Sequence, residues 1–226
     1  MEVSVEWILE AILGKTGSII FTGPNGVGKT LLSIQAVEAA LSKNRKTVYA
    51  LTTMSPQTFL ELAKSIGAEF DNHLEEGRLV LVDCHTRGEN TYPAKYSISP
   101  EASLLEIRQT FLEAADYSSN YFLVIDDLST LLAYIPSENA FKFYQAVASD
   151  VRRNGGTCVA IIVPDILEQK LTNLLYSLSD GVVEMMMEEM GGNLRRFLRI
   201  RFLRGVRHPT EWSEYVIGLH GIELLP

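Results

Sequence analysis

Cysteine is scarce. Cys84 and Cys158 are the only two in 226 residues, and each lies in or at the end of an apolar run. That excludes a disulfide scaffold and disfavours a metal site, and it implies reduced core thiols in a cytoplasmic protein. Long hydrophobic runs are also missing. None approaches the ~20 residues a membrane-spanning helix needs. The opening segment MEVSVEWILEAILG carries two early glutamates and no basic stretch, which excludes the pattern of a signal peptide. It reads as a short amphipathic helix with Trp7, Ile8, Ala11 and Ile12 inward. Positive charge is in deficit, with 20 Lys and Arg against 28 Asp and Glu and a net charge of −8. Such a chain is not coated for nucleic acid. No internal repeat and no linker composition occur, so residues 1–226 are expected to form a single domain. With 46% hydrophobic residues it can bury a substantial core.

What is present is concentrated in residues 18–30, SIIFTGPNGVGKT. An apolar run (Ile19, Ile20, Phe21) ends at Gly23. Pro24, Asn25, Gly26, Val27, Gly28, Lys29 and Thr30 complete a G-x-x-x-x-G-K-T phosphate loop. Leu31, Leu32, Ile34, Ala36 and Val37 follow at helical spacing. Strand, glycine turn and helix start all stand where the motif requires them. Glycines let backbone N–H groups close around a polyphosphate, and the helix N-terminus adds partial positive charge. Lys29 is placed to reach the β- and γ-phosphates of ATP, and the Thr30 hydroxyl to ligate Mg²⁺.

Helical and strand patterns alternate along the rest of the chain. Residues 47–52, 79–82, 121–125 and 156–163 read as apolar strands. Residues 57–66, 104–115 and 140–153 read as helices. Alternation of this kind implies a mostly parallel sheet flanked by helices. Near the end, residues 182–189 and 196–204 flank Met190, Gly191, Gly192 and Asn193, which is an antiparallel hairpin signal. The stretch from Thr86 to Ser99 is polar, aromatic-bearing and without apolar period, a loop of unassigned role.

The segment YFLVIDD is an apolar strand ending in an acid, the Walker B pattern. Asp126 is the expected Mg²⁺-side carboxylate at the carboxyl end of a strand. With both motifs placed, the chain resembles the KaiC-like branch of the RecA superfamily over nearly its full length. The supporting segments are TMSPQTFLELAKSIGAEF, RLVLVDCHTRG, LVIDDLSTLL and the closing SDGVVEMMMEEMGGNLRRFLRIRFLRGVRH. In that last segment a DGV strand, a hairpin and an RG-x-x-H motif follow in order. YVIGLHGIELLP then matches the family's final strand. The resemblance implies a RecA-type core that binds ATP, commonly between the subunits of a hexameric homo-oligomeric ring.

The departures from that family pattern bear on activity. Relatives usually carry two consecutive glutamates just before the SP of the second-strand motif, expected to deprotonate the attacking water. Here Thr53 and Met54 precede Ser55 and Pro56, and a threonine hydroxyl is no general base. The next acid downstream is Glu61, inside the following helix. Where relatives often place a polar γ-phosphate sensor, Val163, Pro164 and Asp165 occur. The closing K-x-R-G, whose cations are expected to reach a neighbour's γ-phosphate, reads Phe202, Leu203, Arg204, Gly205. The arginine is kept and the lysine lost. Ahead of the phosphate loop, the family's GGG segment is reduced to Gly14, Lys15, Thr16, Gly17.

Lys29, Thr30 and Asp126, which serve binding, are all present. This asymmetry favours an ATP-binding regulatory or scaffold module with weak or absent hydrolysis. Two alternatives stay open. Asp127 stands where many relatives have Ser, and is a candidate general base of an active ATPase. Its competing role is a helix cap ahead of Leu128. A DNA-recombination protein of the RecA and RadA type is the other alternative, opposed by the acidic charge and by the absence of a helix-hairpin-helix-like N-terminal segment. Arg195, Arg196, Arg199, Arg201, Arg204 and Arg207 crowd into thirteen residues. As a set they read as a solvated face, or as partners of Glu184, Glu188 and Glu189 across the hairpin. Arg204 is set apart by the closing motif as a candidate cation acting in trans. No guanine-reading N-K-x-D segment is present.

Overall fold

The computed structural model describes residues 4–86, 92–99 and 101–225. Its centre is one ten-stranded sheet in the order β10-β9-β8-β7-β1-β6-β5-β2-β3-β4. The parallel part consists of β1 (Gly17–Thr22), β2 (Thr47–Leu51), β3 (Leu79–Asp83), β4 (Tyr96–Ser97), β5 (Phe122–Asp126) and β6 (Thr157–Ile162). β7 (Gly181–Met190) joins β1 in parallel, then turns back into β8 (Asn193–Leu203). β9 (Ser213–Gly218) and β10 (Gly221–Leu224) continue the antiparallel part.

β1, β2, β3, β5 and β6 are buried along their whole length. Both faces are covered, as parallel sheets require, and the near-continuous apolar runs in the sequence have this cause. One face packs under α1 (Val5–Leu13), α2 (Lys29–Ser42) and α3 (Pro56–Ser65), around Phe21, Tyr49 and Val124. The other packs under α5 (Leu104–Ala114), α6 (Leu128–Leu132), α7 (Ser137–Arg153) and α8 (Gln169–Leu178), around Ile20, Leu123 and Ala160. A single turn-rich helix, α4 (Asp71–Glu75), leads into β3.

Local chemistry sets the helix starts. Ser4 accepts from the Trp7 N–H at 3.2 Å, Ser55 precedes Pro56 and accepts from Thr58, and Ser103 and Glu106 form a capping box. Cys84 and Cys158 are both free, and burial pushes each thiol up to about 12, which leaves them inert at neutral pH.

Several expectations need correction. In α1, Val5, Ile8, Leu9, Ile12 and Leu13 are the buried residues, while Trp7 and Ala11 are only half-buried. The final strand is two strands, since the turn at Leu219 and His220 folds β10 back onto β9. Helix α8 answers to no expectation above, although Leu171, Leu174, Leu175 and Leu178 stand at helical spacing; of these Leu171 and Leu175 are buried. Part of the polar loop at residues 86–99 lies outside the described residues. Within it, Tyr96–Ser97 forms the edge strand β4. A bulge opposite Val182 and Val183 leaves Arg201 unpaired in the ladder. As a result Ile200 and Phe202 pack on opposite faces of the sheet.

At the amino-terminal edge of the sheet one buried cation ties four segments. The Arg45 guanidinium donates to the carbonyls of Leu13, Asn120 and Tyr121 and to the Thr157 hydroxyl, over 2.8–3.0 Å. It is 5% exposed, and burial lowers its pKa to about 10. Replacing it would strand the buried Leu13 carbonyl and remove one donor each from Asn120, Tyr121 and Thr157, so Arg45→Leu should cost about 2–4 kcal/mol. Urea unfolding should show a lower midpoint with an unchanged slope. Lys64→Ala, which removes an exposed ion pair to Asp71, should stay within about 0.5 kcal/mol of wild type.

Candidate nucleotide site

β1, β6 and β5 lie side by side, so their carboxyl ends open on one rim. This is where ligands bind in open parallel sheets. The phosphate loop leaves β1 at Gly23. A β-carbon there would sit 2.3 Å from the Met185 carbonyl oxygen on β7, so only glycine fits. At the other end of the loop Gly28 adopts φ 101° and caps α2. Between them, Asn25 and Gly26 are exposed at the tip, and Val27 is fully buried. The buried Tyr215 hydroxyl, from β9, donates to the Val27 carbonyl. The loop therefore presents its N–H groups at the start of a 14-residue helix, the arrangement that attracts a polyphosphate.

Lys29 is 7% exposed, and its ammonium donates to the carbonyls of Gly23 and Pro24, each at 2.7 Å. Burial holds its pKa below the ordinary lysine value, against the opposing pull of Asp127 and Asp126. Asp126 ends β5. Its Oδ2 accepts from the Tyr49 hydroxyl at 2.7 Å, and Tyr49 in turn meets the Ser33 hydroxyl at 2.7 Å. Burial raises the Asp126 pKa, opposed by hydrogen bonds from Tyr49 and Thr30. A buried carboxylate beside the Thr30 hydroxyl and the Lys29 ammonium has the hard oxygen chemistry that Mg²⁺ takes. Asn25, Gly26, Val27, Gly28, Lys29 and Thr30 fit the phosphates, and Thr30 with Asp126 fits the metal.

Asp127 does not continue the strand. It is an extended residue capping α6, and its Oδ1 accepts from the Thr130 N–H at 2.5 Å and from the Ser129 hydroxyl at 2.8 Å. Ser129 Oγ also accepts from the Val163 N–H at 3.0 Å. The Thr52 hydroxyl donates to the Asp127 carbonyl at 2.9 Å. The strand has ended, so Asp126 and Asp127 both line one cleft of about 340 Å³. Thr53 faces it as well, and Val163 contributes an apolar wall. Met54 packs instead against the core under α3. Glu61 lies on the outer surface of α3 and accepts from Gln57 at 3.0 Å. Apart from Asp126 and Asp127, no carboxylate lines this cleft among the described residues.

Arg204 is not brought to this cleft. It follows the β8 residue paired with Gly181, at the end of the sheet opposite the phosphate loop. Its guanidinium donates to the Ser177 carbonyl at 2.8 Å and lies 3.9 Å from Asp180, with 56% of the side chain exposed. Arg199 and Arg201 both pair with Glu184, while Arg195 pairs with Glu214 on β9, not with Glu188 or Glu189. His208 accepts from the Leu203 N–H at 3.1 Å, a structural contact.

Sequence reasoning missed the residues that brace the loop: Ser33, Gln35, Tyr49, Tyr215 and Ile217. Tyr215 and Val27 are 188 residues apart, and no local pattern reports such a contact.

The sequence model of the family described as "ATPase: KaiC" matches residues 8–226. The archaeal flagellar ATP-binding protein FlaH of Sulfolobus acidocaldarius is 23% identical, over 92% of this chain and 88% of its own length. A UPF0273 protein of Methanopyrus kandleri is 23% identical, over 97% of this chain and 88% of its own length. A crystal structure of a KaiC-like protein from Pyrococcus horikoshii OT3 superposes with a TM-score of 0.73 at 18% identity, covering 94% of this chain and 90% of that one. Sheet order, phosphate loop and family match agree: the chain belongs to the KaiC ATPase family, with the RecA-like P-loop fold.

Proposed function

We propose that this chain is a Mg·ATP-binding module that acts as a nucleotide-dependent regulator or scaffold and hydrolyses ATP slowly or not at all. One observation carries the reading. The binding groups Lys29, Thr30 and Asp126 are assembled, while Thr53 stands in the cleft where a carboxylate would deprotonate water. The name of the FlaH relative, an ATP-binding protein, supports the nucleotide. ATP seated between subunits of a cytoplasmic homo-oligomeric ring is part of the same proposal, with no nucleic acid and no membrane span required. No described helix is long and apolar enough to cross a membrane.

Chemically, Mg·ATP supplies a polarised γ-phosphoryl group when bound. The chain's own groups do the rest. Loop N–H groups and the Lys29 ammonium neutralise phosphate charge, and Thr30 and Asp126 hold the metal side. Phosphoryl transfer depends on positioning a water and stabilising charge. Losing a base costs about 10²–10⁴-fold. A second reading is favoured by one observation: Asp127 lines the cleft. Against it, one of its oxygens is engaged by Thr130 and Ser129.

Calorimetry tests binding. Lys29→Ala should weaken Mg·ATP about 10–100-fold, because it deletes a charge-assisted contact. Unchanged affinity would defeat the assignment.

Turnover separates the two readings of Asp127. Wild type should stay below about 0.1 s⁻¹, against ordinary values near 10 s⁻¹. Asp127→Asn should leave both ATP affinity and this residual rate unaltered. If Asp127 is the base, the same variant keeps binding and loses a measurable rate. A wild-type turnover of about 1 s⁻¹ or more would remove the weak-hydrolysis reading.

Association is read by light scattering. Mg·ATP should raise the mass of wild type, and Arg204→Ala should blunt that rise. A wild-type monomer with and without nucleotide would remove the trans role of Arg204.

A further inference from the structure

Two hydroxyls lie buried behind the metal side of the cleft, and neither belongs to a nucleotide motif. Tyr49 stands on β2 opposite Val124 of β5. Asp126 is two residues beyond Val124, so it shares the face that Tyr49 and Val124 turn toward α2. The Tyr49 hydroxyl reaches past Val124 and donates to Asp126 Oδ2 at 2.7 Å. It also meets Ser33 Oγ at 2.7 Å, and Ser33 donates to the Thr30 carbonyl at 2.8 Å. The Thr30 hydroxyl hydrogen-bonds Asp126 in its turn. The path from Thr30 through Ser33 and Tyr49 to Asp126 therefore closes on Thr30 again. Its two outer members are the residues that fit the metal. Its two inner members, Ser33 and Tyr49, are wholly buried and do not line the cleft.

The Tyr49 oxygen has little freedom to move. Its ring lies 4.4 Å from that of Phe59 on α3, and Phe59 stacks on Phe70 at 6.0 Å. Asp126 is 3% exposed, so solvent does little to orient its carboxylate. Tyr49 and Thr30 are the hydrogen-bond donors found for that carboxylate among the described residues. A metal on Thr30 and Asp126 draws the Thr30 hydroxyl to itself as a ligand. Tyr49 is then the donor that keeps Asp126 aimed. The phosphate contacts have separate supports. Lys29 is held by the Gly23 and Pro24 carbonyls, and the loop at Val27 by Tyr215.

We propose that Tyr49 is the positioning residue of the metal side: its hydroxyl aims Asp126, and so sets how far Mg²⁺ strengthens ATP binding without touching the phosphate contacts. The proposal rests on the nucleotide-binding reading above and adds what makes that binding depend on the metal. A carboxylate that serves a metal is itself oriented by hydrogen bonds, and losing such a partner typically costs about 10–100-fold in metal affinity. A tyrosine that served packing alone would have no such effect, since its ring and not its hydroxyl fills the core.

The test is ATP affinity by calorimetry, once in Mg²⁺ and once in EDTA. Tyr49→Phe keeps the ring against Phe59. It should weaken ATP about tenfold in Mg²⁺ and leave it within about twofold in EDTA. Tyr144→Phe is the matched control. Tyr144 is also wholly buried, its hydroxyl meets Ser179 Oγ at 2.8 Å, and Ser179 donates to the Leu175 carbonyl at 2.8 Å, all on the other face of the sheet. It should lose similar stability and keep both affinities within about twofold of wild type. Ser33→Ala takes away the other partner of Tyr49 and should weaken ATP about threefold, again in Mg²⁺ alone. It decides the question if Tyr49→Phe fails to fold. The proposal is overturned by variants at Tyr49 and Ser33 that match wild type in Mg²⁺, by equal losses in Mg²⁺ and EDTA, or by an equal loss in Tyr144→Phe. A wild type that binds no ATP removes the nucleotide-binding reading itself. A wild type that binds ATP equally well in Mg²⁺ and EDTA keeps that reading and removes the metal side, with this proposal.

Discussion

The phosphate loop is held from behind by the end of the chain, and the rest of the site depends on that contact. β7 passes so close to Gly23 that a β-carbon would strike the Met185 carbonyl. Tyr215 holds Val27, and Ile217 and Ile222 cover Gly28. A loop of glycines has many conformations to lose on ordering. Here the cost is met before any ligand arrives, because the loop leans on a strand ladder and not on solvent. Preorganised N–H groups bind anions better than groups that must first be gathered. The antiparallel extension of β7 to β10 is therefore part of what shapes the loop, though no residue of it belongs to the phosphate-loop motif.

Charge inside the cleft follows the same logic. Three ionisable groups, Lys29, Asp126 and Asp127, sit together with little solvent. Isolated, any one would be costly to bury. Lys29 is satisfied by two loop carbonyls, Asp126 by Tyr49, and Asp127 by the start of α6. Each charge is thus hydrogen-bonded before it meets a phosphate or a metal. Tyr49 matters most in this respect. It is wholly buried, stands on β2 beside β5 and joins Ser33 on α2 to Asp126 on β5. One hydroxyl fixes the distance between the helix that carries Thr30 and the strand that carries the metal-side carboxylate.

The parts of this architecture that the sequence reveals are those encoded within a few neighbouring residues. The phosphate loop, the strand ending at Asp126, the buried parallel strands and the Gly191–Gly192 hairpin are all of this kind. Their signals are local: a glycine needed for a turn, an apolar run, a serine before a helix. What was missed is encoded across the chain. Arg45 looks like any surface arginine, yet its partners are Leu13, Asn120, Tyr121 and Thr157. Gln35 looks like a solvated helix residue, yet it completes the edge of β10. The split of the last strand at Leu219 and His220 has no proline or tight turn dipeptide to announce it beyond Gly218 and Gly221. The bulge at Arg201 changes which face Phe202 occupies, and strict alternation cannot foresee it.

Binding and hydrolysis draw on different parts of such a site, and the parts can be lost separately. Binding needs groups that the fold itself requires. Gly23 is demanded by β7, Gly28 by the start of α2, and the Asp126 hydrogen bond by the core polarity of Tyr49. Replacing these disturbs packing as well as affinity. The position two residues after β2 is under no such demand, since Thr53 is exposed and carries no structural hydrogen bond among those found at the described residues. A side chain there is free to be a carboxylate or a hydroxyl without cost to the fold. Asp127 is the reverse case. Its Oδ1 already caps α6 and holds Ser129, which in turn holds the end of β6 at Val163. The fold thus depends on the phosphate-loop glycines and on the Asp126 hydrogen bond, and depends little on the side chain at position 53.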